Sequence, residues 1–387
     1  MKNFQMNPRH EKLAFVLMAL GLIGMAFGFV KDPARTWANL LVNNLYFLSL
    51  ALAGLFFIAV TRLTVGAWAT GLKRIPEAMM TFLPWSGLLM LLLFFGRHSL
   101  YHWSDPEVMA HDPILAGKHA WLNTPFFFVR MALIIGAWSF FAIRLRRISL
   151  EQDHVVNAVS KHQEMYRWSA IFIPVFAVTY SLASFDWVMS IEPHWFSTIF
   201  AIYNFSGLFM HGVAFIALVV ILLREQGYLE GVVNENHLHD LAKLILAFSI
   251  FWVSMWVNQY MLIWYTNIPE EIAYYVVRTD RDWNWLFVFN VVFNWGVPFL
   301  ILLPRASKRS PGVLKRVCIL MLVGHWIDLY LMVAPNVVRS RHIGFIEISM
   351  AFGYGALFCW LTARALGKAP LVAMNDPYLE ESLHHHQ

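Results

Sequence analysis

The sequence predicts an all-α, polytopic membrane protein with about ten transmembrane helices. Of its 387 residues, 59% are hydrophobic and only 14% are charged, whereas soluble domains carry about 25% charged residues. The mean hydropathy is +0.55, and the apolar runs have the ~20-residue length that an α-helix needs to cross a bilayer. Open strands cannot cross lipid, because their backbone groups would stay unpaired. We therefore expect residues 1–387 to form one integral membrane domain.

Ten apolar segments are candidates for membrane-spanning helices, which we call spans 1 to 10. They are residues 13–30, 38–62, 78–96, 124–143, 168–190, 195–223, 241–265, 283–303, 313–335 and 343–365. An even number of spans places both chain ends on the same side of the membrane. That side carries 20 of the 29 Lys and Arg residues, and the other side carries 8. The positive-inside rule then places both termini, including a loose polar tail at 366–387, in the cytoplasm.

Individual spans carry signals for packing. Span 1 contains Gly21, Gly24 and Gly28, a spacing of small residues that lets two helices approach closely. Span 3 contains Pro84, which is expected to kink its helix. These three glycines and the proline therefore concern helix packing. The residues that could carry out chemistry lie in later spans.

Two spans share a spacing that suggests an internal repeat. Asp186 in span 5 is followed seven residues later by Pro193, and Asp328 in span 9 is followed seven residues later by Pro335. Because the two spans lie four apart, this predicts two four-helix bundles, residues 38–190 and 195–335. The first helix and the last helix, 343–365, are then peripheral. A chance coincidence is the alternative to a repeat.

Ionisable residues inside the spans give the main functional signal, because a charge at bilayer depth costs about 2.5 kcal/mol or more. Carboxylates and imidazoles can take up and release protons, so these residues and their polar neighbours predict a proton path. Its candidate residues are Arg130, Asp186, His211, Asn258, His325, Asp328 and Glu347. Arg130 either extends to lipid headgroups or pairs with a buried carboxylate. His211 is either part of the path or a hydrogen-bonded core histidine.

Several cofactors and partners are not expected on this chain. Its two cysteines, Cys318 and Cys359, form no CxxC or CxxCH motif, so neither an iron–sulfur cluster nor a c-type haem is expected. A single haem b would need two facing histidines, for which His211 and His325 are the candidates. The histidine-rich loop at 97–123 offers no tetrahedral ligand set, so no metal site is expected. The net charge of +5 makes no case for nucleic acid.

Two runs of the sequence resemble a known family. They are SFDWVMSIEPHWFSTIFAIYNFSG at 184–207 and HLHDLAKLILAFSIFWVSMWVNQYMLIWYTNIPEE at 237–271. Both are similar to the ActF-type membrane subunits of alternative complex III, a bacterial quinol:cytochrome c oxidoreductase. These subunits resemble the NrfD and polysulfide-reductase membrane subunits. The resemblance implies ten helices, two four-helix bundles and a place in the bacterial inner membrane.

The resemblance also implies partners and a role. The expected partners are an ActC-like paralogous membrane subunit, iron–sulfur and c-haem subunits, a terminal oxidase in oxidase-linked assemblies, and lipids. The aspartate of the family's SFD motif corresponds to Asp186, which makes Asp186, Trp187, Glu192 and His194 candidates for binding quinol. The expected function is to support quinol oxidation and proton conduction without a redox centre in this chain. A structural scaffold for the paralogue and a secondary transporter are the alternatives.

Overall fold

The computed structural model describes residues 4–155, 158–280, 282–338 and 343–386. No strand occurs among these residues, and ten of their helices are long and apolar enough to cross a membrane. The predicted fold class, an all-α polytopic membrane protein, is confirmed. Four of the cations counted for orientation lie outside the described residues; they are Lys2, Arg281, Arg339 and Arg341.

We number the ten membrane-spanning helices in chain order. They are α1 (Pro8–Lys31), α2 (Pro33–Leu63), α3 (Arg74–Phe94), α4 (Thr124–Gln152), α5 (Ala158–Ile191), α6 (Phe200–Glu225), α7 (Glu235–Thr266), α8 (Asn284–Leu302), α9 (Pro311–Val337) and α10 (Phe345–Leu366). Several continue beyond their apolar cores, because polar residues at a membrane surface can still complete helical turns. The start of α6 is later than the sequence predicts, since residues 192–199 form turns.

Helix contacts divide the interior into two rings of four helices. Helices α2 to α5 pack around one another, and α6 to α9 form the second ring. The main contact between the rings is made by α2, which packs against both α6 and α9, and α5 also packs against α6. Helices α2, α6 and α9 are accordingly the most buried of the ten. Any polar residue that these three helices share lies at the interface between the two bundles.

Helix α1 packs along α10 at the edge of the molecule, and glycines set the distance between them. A Cβ atom on Gly21 would lie 2.7 Å from the Cα atom of Gly353, and one on Gly24 would overlap the side chain of Ser349. The two backbones are therefore too close for any side chain at these positions. Helix α10 in turn contacts α2 and α3, so α1 and α10 are peripheral to the two rings.

The C-terminal tail is packed rather than loose, contrary to the expectation from its polarity. Asp376 accepts hydrogen bonds from Lys73 at 2.5 Å and from Arg62 at 2.9 Å. Further along, the Ser382 hydroxyl donates to the Trp68 carbonyl at 2.9 Å, and His385 lies 2.6 Å from a carboxylate oxygen of Asp240. The tail thus crosses from the first bundle to the second. We call the side that carries the tail the terminal side and the other the opposite side.

Candidate functional site

A single carboxylate, Asp328 on α9, is the centre of a buried polar cluster in the second bundle. One carboxylate oxygen accepts hydrogen bonds from the Tyr203 hydroxyl and from the Asn290 side-chain amide, the latter at 2.8 Å. The other oxygen accepts from the Trp252 indole N–H at 3.2 Å. The three donors come from α6, α8 and α7. Asp328 is 2% exposed and has no Lys or Arg partner in the described part of the chain, so neutral donors alone hold it.

A local break in helix geometry brings Asn290 to this cluster. Residues Val292–Gly296 of α8 form a π-helical turn. The Asn294 side-chain amide donates to the Asn290 side-chain carbonyl at 2.7 Å, and the Asn294 backbone carbonyl accepts from Ser249 on α7 at 2.6 Å. Single π-turns inside helices often occur at functional sites. Here the turn directly follows Asn290, which donates to the carboxylate, and it contains Asn294, which donates to Asn290.

Two histidines stack beside the carboxylate at the interface between the bundles. The rings of His211 on α6 and His325 on α9 are nearly parallel, with centroids 3.7 Å apart. His325 Nδ1 lies 3.7 Å from an Asp328 oxygen, beyond hydrogen-bond distance. Gly207 makes room for the pair, because a Cβ there would lie 2.6 Å from His325. A porphyrin does not fit between rings in direct contact, so this pair is unsuited to the haem b considered from the sequence.

The surroundings of His211 accommodate the ring with one proton or with two. Its Nδ1 donates to the Gly207 carbonyl, and its Nε2 lies 3.1 Å from the Ser49 hydroxyl oxygen. The Ser49 hydroxyl also lies 2.7 Å from the Tyr46 carbonyl. A hydroxyl has one proton and can accept as well as donate. Ser49 can therefore donate to a neutral His211, or it can donate to Tyr46 and accept from a protonated His211.

A polar stripe on α2 extends from this histidine pair towards the opposite side. It consists of Asn39, Asn43, Tyr46 and Ser49, spaced at i, i+4, i+7 and i+10 on one helix face. The Asn43 side-chain carbonyl accepts from the Trp326 indole at 2.9 Å. Ten residues of α-helix cover about 15 Å. This α2 polar stripe was not singled out from the sequence, although its spacing is the signal that could have found it.

Glu347 lies at the far end of the α2 polar stripe. Its carboxylate accepts hydrogen bonds from two guanidinium nitrogens of Arg35, each at 2.6 Å, and from the Asn39 side-chain amide at 2.9 Å. The structure therefore pairs Glu347 with Arg35 and not with Arg130. Within the described part of the chain, the α2 polar stripe lies between Glu347 and the central cluster.

A small cavity between the bundles adjoins the histidine pair. Its volume is about 40 Å³, and its lining includes His325, Trp187, Asn204 and Ser49. Three buried polar atoms here, His325 Nδ1, Trp187 Nε1 and Asn204 Oδ1, have no hydrogen-bond partner among the described residues. Buried water molecules typically make about three hydrogen bonds to such groups. The cavity has the size and the polarity to hold water.

A second small cavity leads from Asp328 towards the opposite side. Its volume is about 20 Å³, and its lining includes Asp328, Gln259, Tyr275 and Arg278. The sequence-predicted Asn258 is exposed and lies outside this cluster, whereas its neighbour Gln259 is 4% exposed. Gln259 is seven residues beyond Trp252 and therefore shares its helix face. That spacing was the signal for choosing Gln259 over Asn258.

The second predicted carboxylate, Asp186 on α5, lies in a separate site in the first bundle. Arg130 donates to one of its oxygens at 2.7 Å, and the Trp121 indole donates to the other at 2.8 Å. The guanidinium of Arg130 also stacks over the rings of Trp121 and Phe126, 4.2 and 4.3 Å from their centroids. Of the two possibilities left open for Arg130, the structure shows pairing with a buried carboxylate.

Asp186 lines the wall of an apolar pocket near the opposite side. The pocket has a volume of about 430 Å³, and its lining includes four aromatic side chains, those of Trp121, Phe185, Trp195 and Phe196. Ligand pockets in proteins typically measure about 300–1,000 Å³ and combine apolar walls with a few polar groups. We call this cavity the Asp186 pocket.

The other candidate quinol-binding residues lie outside the Asp186 pocket. Trp187 points from the other face of α5 and packs edge-on against Trp138. Glu192 accepts a hydrogen bond from Arg278 at 2.8 Å. His194 is half-exposed and lies 2.5 Å from a carboxylate oxygen of Asp112.

Six of the seven predicted proton-path residues fall into three groups, and the exposed Asn258 belongs to none of them. His211, His325 and Asp328 form one cluster, Arg130 and Asp186 form another, and Glu347 connects to the first through the α2 polar stripe. No protein-family model matches this chain, and no curated protein sequence compared with it matches either.

Proposed function

We propose that this chain is a membrane subunit of a quinol-oxidising respiratory complex, in which it conducts protons through the cluster around Asp328. The observation that carries the proposal is the stacked pair of His211 and His325 beside that carboxylate, all buried at or near the interface of two membrane bundles. Ionisable groups at such depth are costly to keep and are functional by default. Imidazole changes its charge near neutral pH, and chains of Asp, Glu and His side chains inside membranes serve as proton relays.

The contacts around these residues provide groups and cavities through which a proton can be transferred. The Ser49 hydroxyl can follow a change in the protonation of His211 by turning between His211 and the Tyr46 carbonyl. The 40 Å³ cavity can hold the water that His325 needs as a hydrogen-bond partner. From Asp328, the 20 Å³ cavity continues to Gln259 and to Arg278, which pairs with Glu192 near the opposite side.

We further propose that the Asp186 pocket binds a quinol headgroup. Its aromatic walls suit a planar ring, and Asp186 offers a carboxylate to a quinol hydroxyl. The resemblance of residues 184–207 to alternative complex III supports this assignment. Under it, the terminal side faces the cytoplasm of a bacterium, and iron–sulfur and c-haem subunits and an ActC-like paralogue are the partners.

Two other functions make different demands on the same residues. A scaffold for a quinol-oxidising paralogue is favoured by the fact that both Asp186 oxygens already have partners, Arg130 and Trp121. A secondary transporter would need a central site large enough for its substrate, but the two central cavities measure about 20 and 40 Å³. These volumes accommodate one or a few water molecules. Proton conduction is thus better supported than solute transport.

The test compares single-group changes in the intact complex that contains this chain. Asp328→Asn removes the titratable group, and Tyr203→Phe removes one hydroxyl that donates to it. Tyr354→Phe is the matched control, because the Tyr354 hydroxyl has no hydrogen-bond partner among the described residues. Quinol oxidation and proton release are measured with haem content as the measure of assembly. Proton release should fall about tenfold or more in Asp328→Asn, less in Tyr203→Phe, and remain normal in the control.

An Asp186→Asn variant tests quinol binding in the Asp186 pocket separately from proton conduction around Asp328. We expect a raised KM for quinol if the Asp186 pocket binds the headgroup. Unchanged turnover, KM and proton release in every variant, with normal haem content, would leave a scaffold as the function of this chain.

A further inference from the structure

A large cavity on the terminal side has no part in the functions proposed above. It lies between the end of α4 and the segment that follows α10, and its volume is about 580 Å³. Apolar side chains, Ile143 and Leu150, line one part of it, and Arg146, Arg147 and Lys368 line another. The cavity therefore presents cationic and apolar surface side by side at the end of a membrane-spanning helix.

The cations of this cavity are only partly neutralised by the chain. Arg146 donates to two backbone carbonyls, those of Ala365 at 2.8 Å and Glu77 at 3.1 Å, and it has no carboxylate partner within the described ranges. Lys368 is exposed, and none of the ion pairs found in the described part of the chain includes it. The geometry thus leaves two cations available to an anion at the cavity mouth.

Two carboxylates, Glu151 and Asp153, also line the cavity, and both are shared with cations outside it. Glu151 pairs with Arg147 at 2.8 Å and also with Lys161 at 2.7 Å. Asp153 pairs with Arg74. Each carboxylate therefore interacts with a cation outside the cavity or serves two cations at once, and the cavity keeps an excess of positive charge.

The apolar part of the cavity continues along the surface of α4. Ile143 is exposed, and so are Phe140 and Leu133, which precede it by three and ten residues and lie on the same helix face. Between them, Gly136 has no atom within 4 Å of the position of a Cβ. An exposed apolar strip on α4 thus runs from the cationic mouth towards the membrane interior.

We infer that this cavity binds a phospholipid with an anionic headgroup. Its phosphate lies against Arg146, Arg147 and Lys368, and an acyl chain follows the exposed apolar strip past Ile143 and Phe140. An anionic headgroup is inferred from charge complementarity, because clustered Arg and Lys residues beside a membrane helix attract anionic lipids. A lipid is inferred in preference to a soluble anion, since only a lipid has an apolar part that would cover this strip.

The experiment measures lipid binding to the full-length chain by native mass spectrometry. The probes are phosphatidylglycerol, the neutral phosphatidylcholine and inorganic phosphate. The Arg147→Gln/Lys368→Gln variant removes two cations from the cavity mouth. Arg316→Gln is the matched control, because Arg316 is an exposed terminal-side arginine on α9 that donates to a backbone carbonyl. Both variants keep all buried side chains, and their thermal unfolding is recorded beside wild type.

We expect the wild-type chain to retain phosphatidylglycerol in preference to phosphatidylcholine. The double variant should bind phosphatidylglycerol about 25-fold more weakly, about fivefold for each cation, and the control should bind as wild type does. Equal binding by the wild type and the double variant would overturn the proposal. An equal loss in the control would show a diffuse surface charge, and full competition by inorganic phosphate would show a site for a soluble anion; either result also rejects the lipid site.

Discussion

At the scale of single residues, the two buried aspartates differ in how their charge is compensated. Asp186 has the cation Arg130 at 2.7 Å, whereas Asp328 has three neutral donors and a histidine at 3.7 Å. A cation holds a carboxylate in its charged form, because protonation would leave the cation unpaired in the interior. Neutral donors impose this constraint less strongly. Asp328 is therefore the better candidate for a group that changes protonation during turnover.

The pairing of Arg130 with Asp186 gives a prediction about stability. Arg130→Gln leaves a buried carboxylate without its cation, which should lower the free energy of unfolding by about 3–5 kcal/mol. In the Arg130→Gln/Asp186→Asn double variant the charge is gone, and more than half of this loss should be recovered. Denaturant unfolding of the two single variants and the double variant in detergent measures the coupling. Additive losses would show that the two side chains do not depend on each other.

At the scale of helices, close packing and local irregularity serve different purposes. The glycines of α1 allow backbone contact with α10, where no hydrophobic effect drives association inside lipid. The π-turn of α8 instead gives up regular geometry so that Asn290 reaches Asp328. Helix α2 shows a third arrangement, because its polar face is buried and its other faces pack against the first ring and against α1 and α10.

The glycine contact between α1 and α10 gives a second prediction. Gly21→Ala would place a Cβ 2.7 Å from the Gly353 Cα, and a backbone atom cannot move aside as a side chain can. We expect a loss of about 1–3 kcal/mol, the usual range for overpacking. Gly136→Ala is the control, because its Cβ meets nothing within 4 Å. Thermal unfolding in detergent should show a lower Tm for the first variant only, and equal Tm values would contradict the packing argument.

At the scale of the whole molecule, the C-terminal tail connects the two bundles on the terminal side. Burial acts to raise the pKa of the Asp376 carboxyl, but the charges and hydrogen bonds of Lys73 and Arg62 outweigh it and hold this pKa well below its usual range. A carboxyl with a lowered pKa in the folded state contributes stability above its unfolded pKa of about 3.9. That contribution is lost as the pH falls through the folded value.

The sign of this shift gives a third prediction. Near pH 7, Asp376→Asn should have a lower Tm than wild type, because the charge that holds Lys73 and Arg62 is absent. On acidification below about pH 4 the difference should shrink, since unfolded wild type then takes up a proton at Asp376 that the folded state does not bind. Glu380→Gln, a change at an exposed tail carboxylate, is the control. A difference in Tm that stays constant from pH 7 to pH 3 would contradict this account.

The sequence by itself determined the fold class and the set of spans. Both follow from local physics, because about twenty apolar residues cross a bilayer only as a helix that satisfies its own backbone. It also identified Asp186, His211, His325, Asp328 and Glu347 as buried ionisable residues, since their cost in lipid is a property of each residue alone. All five are buried in the structure.

Only the tertiary structure decided which of these residues meet. Asp328 meets Tyr203, Trp252 and Asn290 from three other helices, and Glu347 meets Arg35 across 312 residues of chain. Such partners depend on the rotation and the neighbours of each helix, which hydropathy does not encode. The choice of Gln259 over Asn258 could have been made from the sequence, because helical spacing places Gln259 on the same face as Trp252. The stacking of His211 on His325 depends on the close approach of α6 and α9 at Gly207. This approach is determined by how the two helices pack.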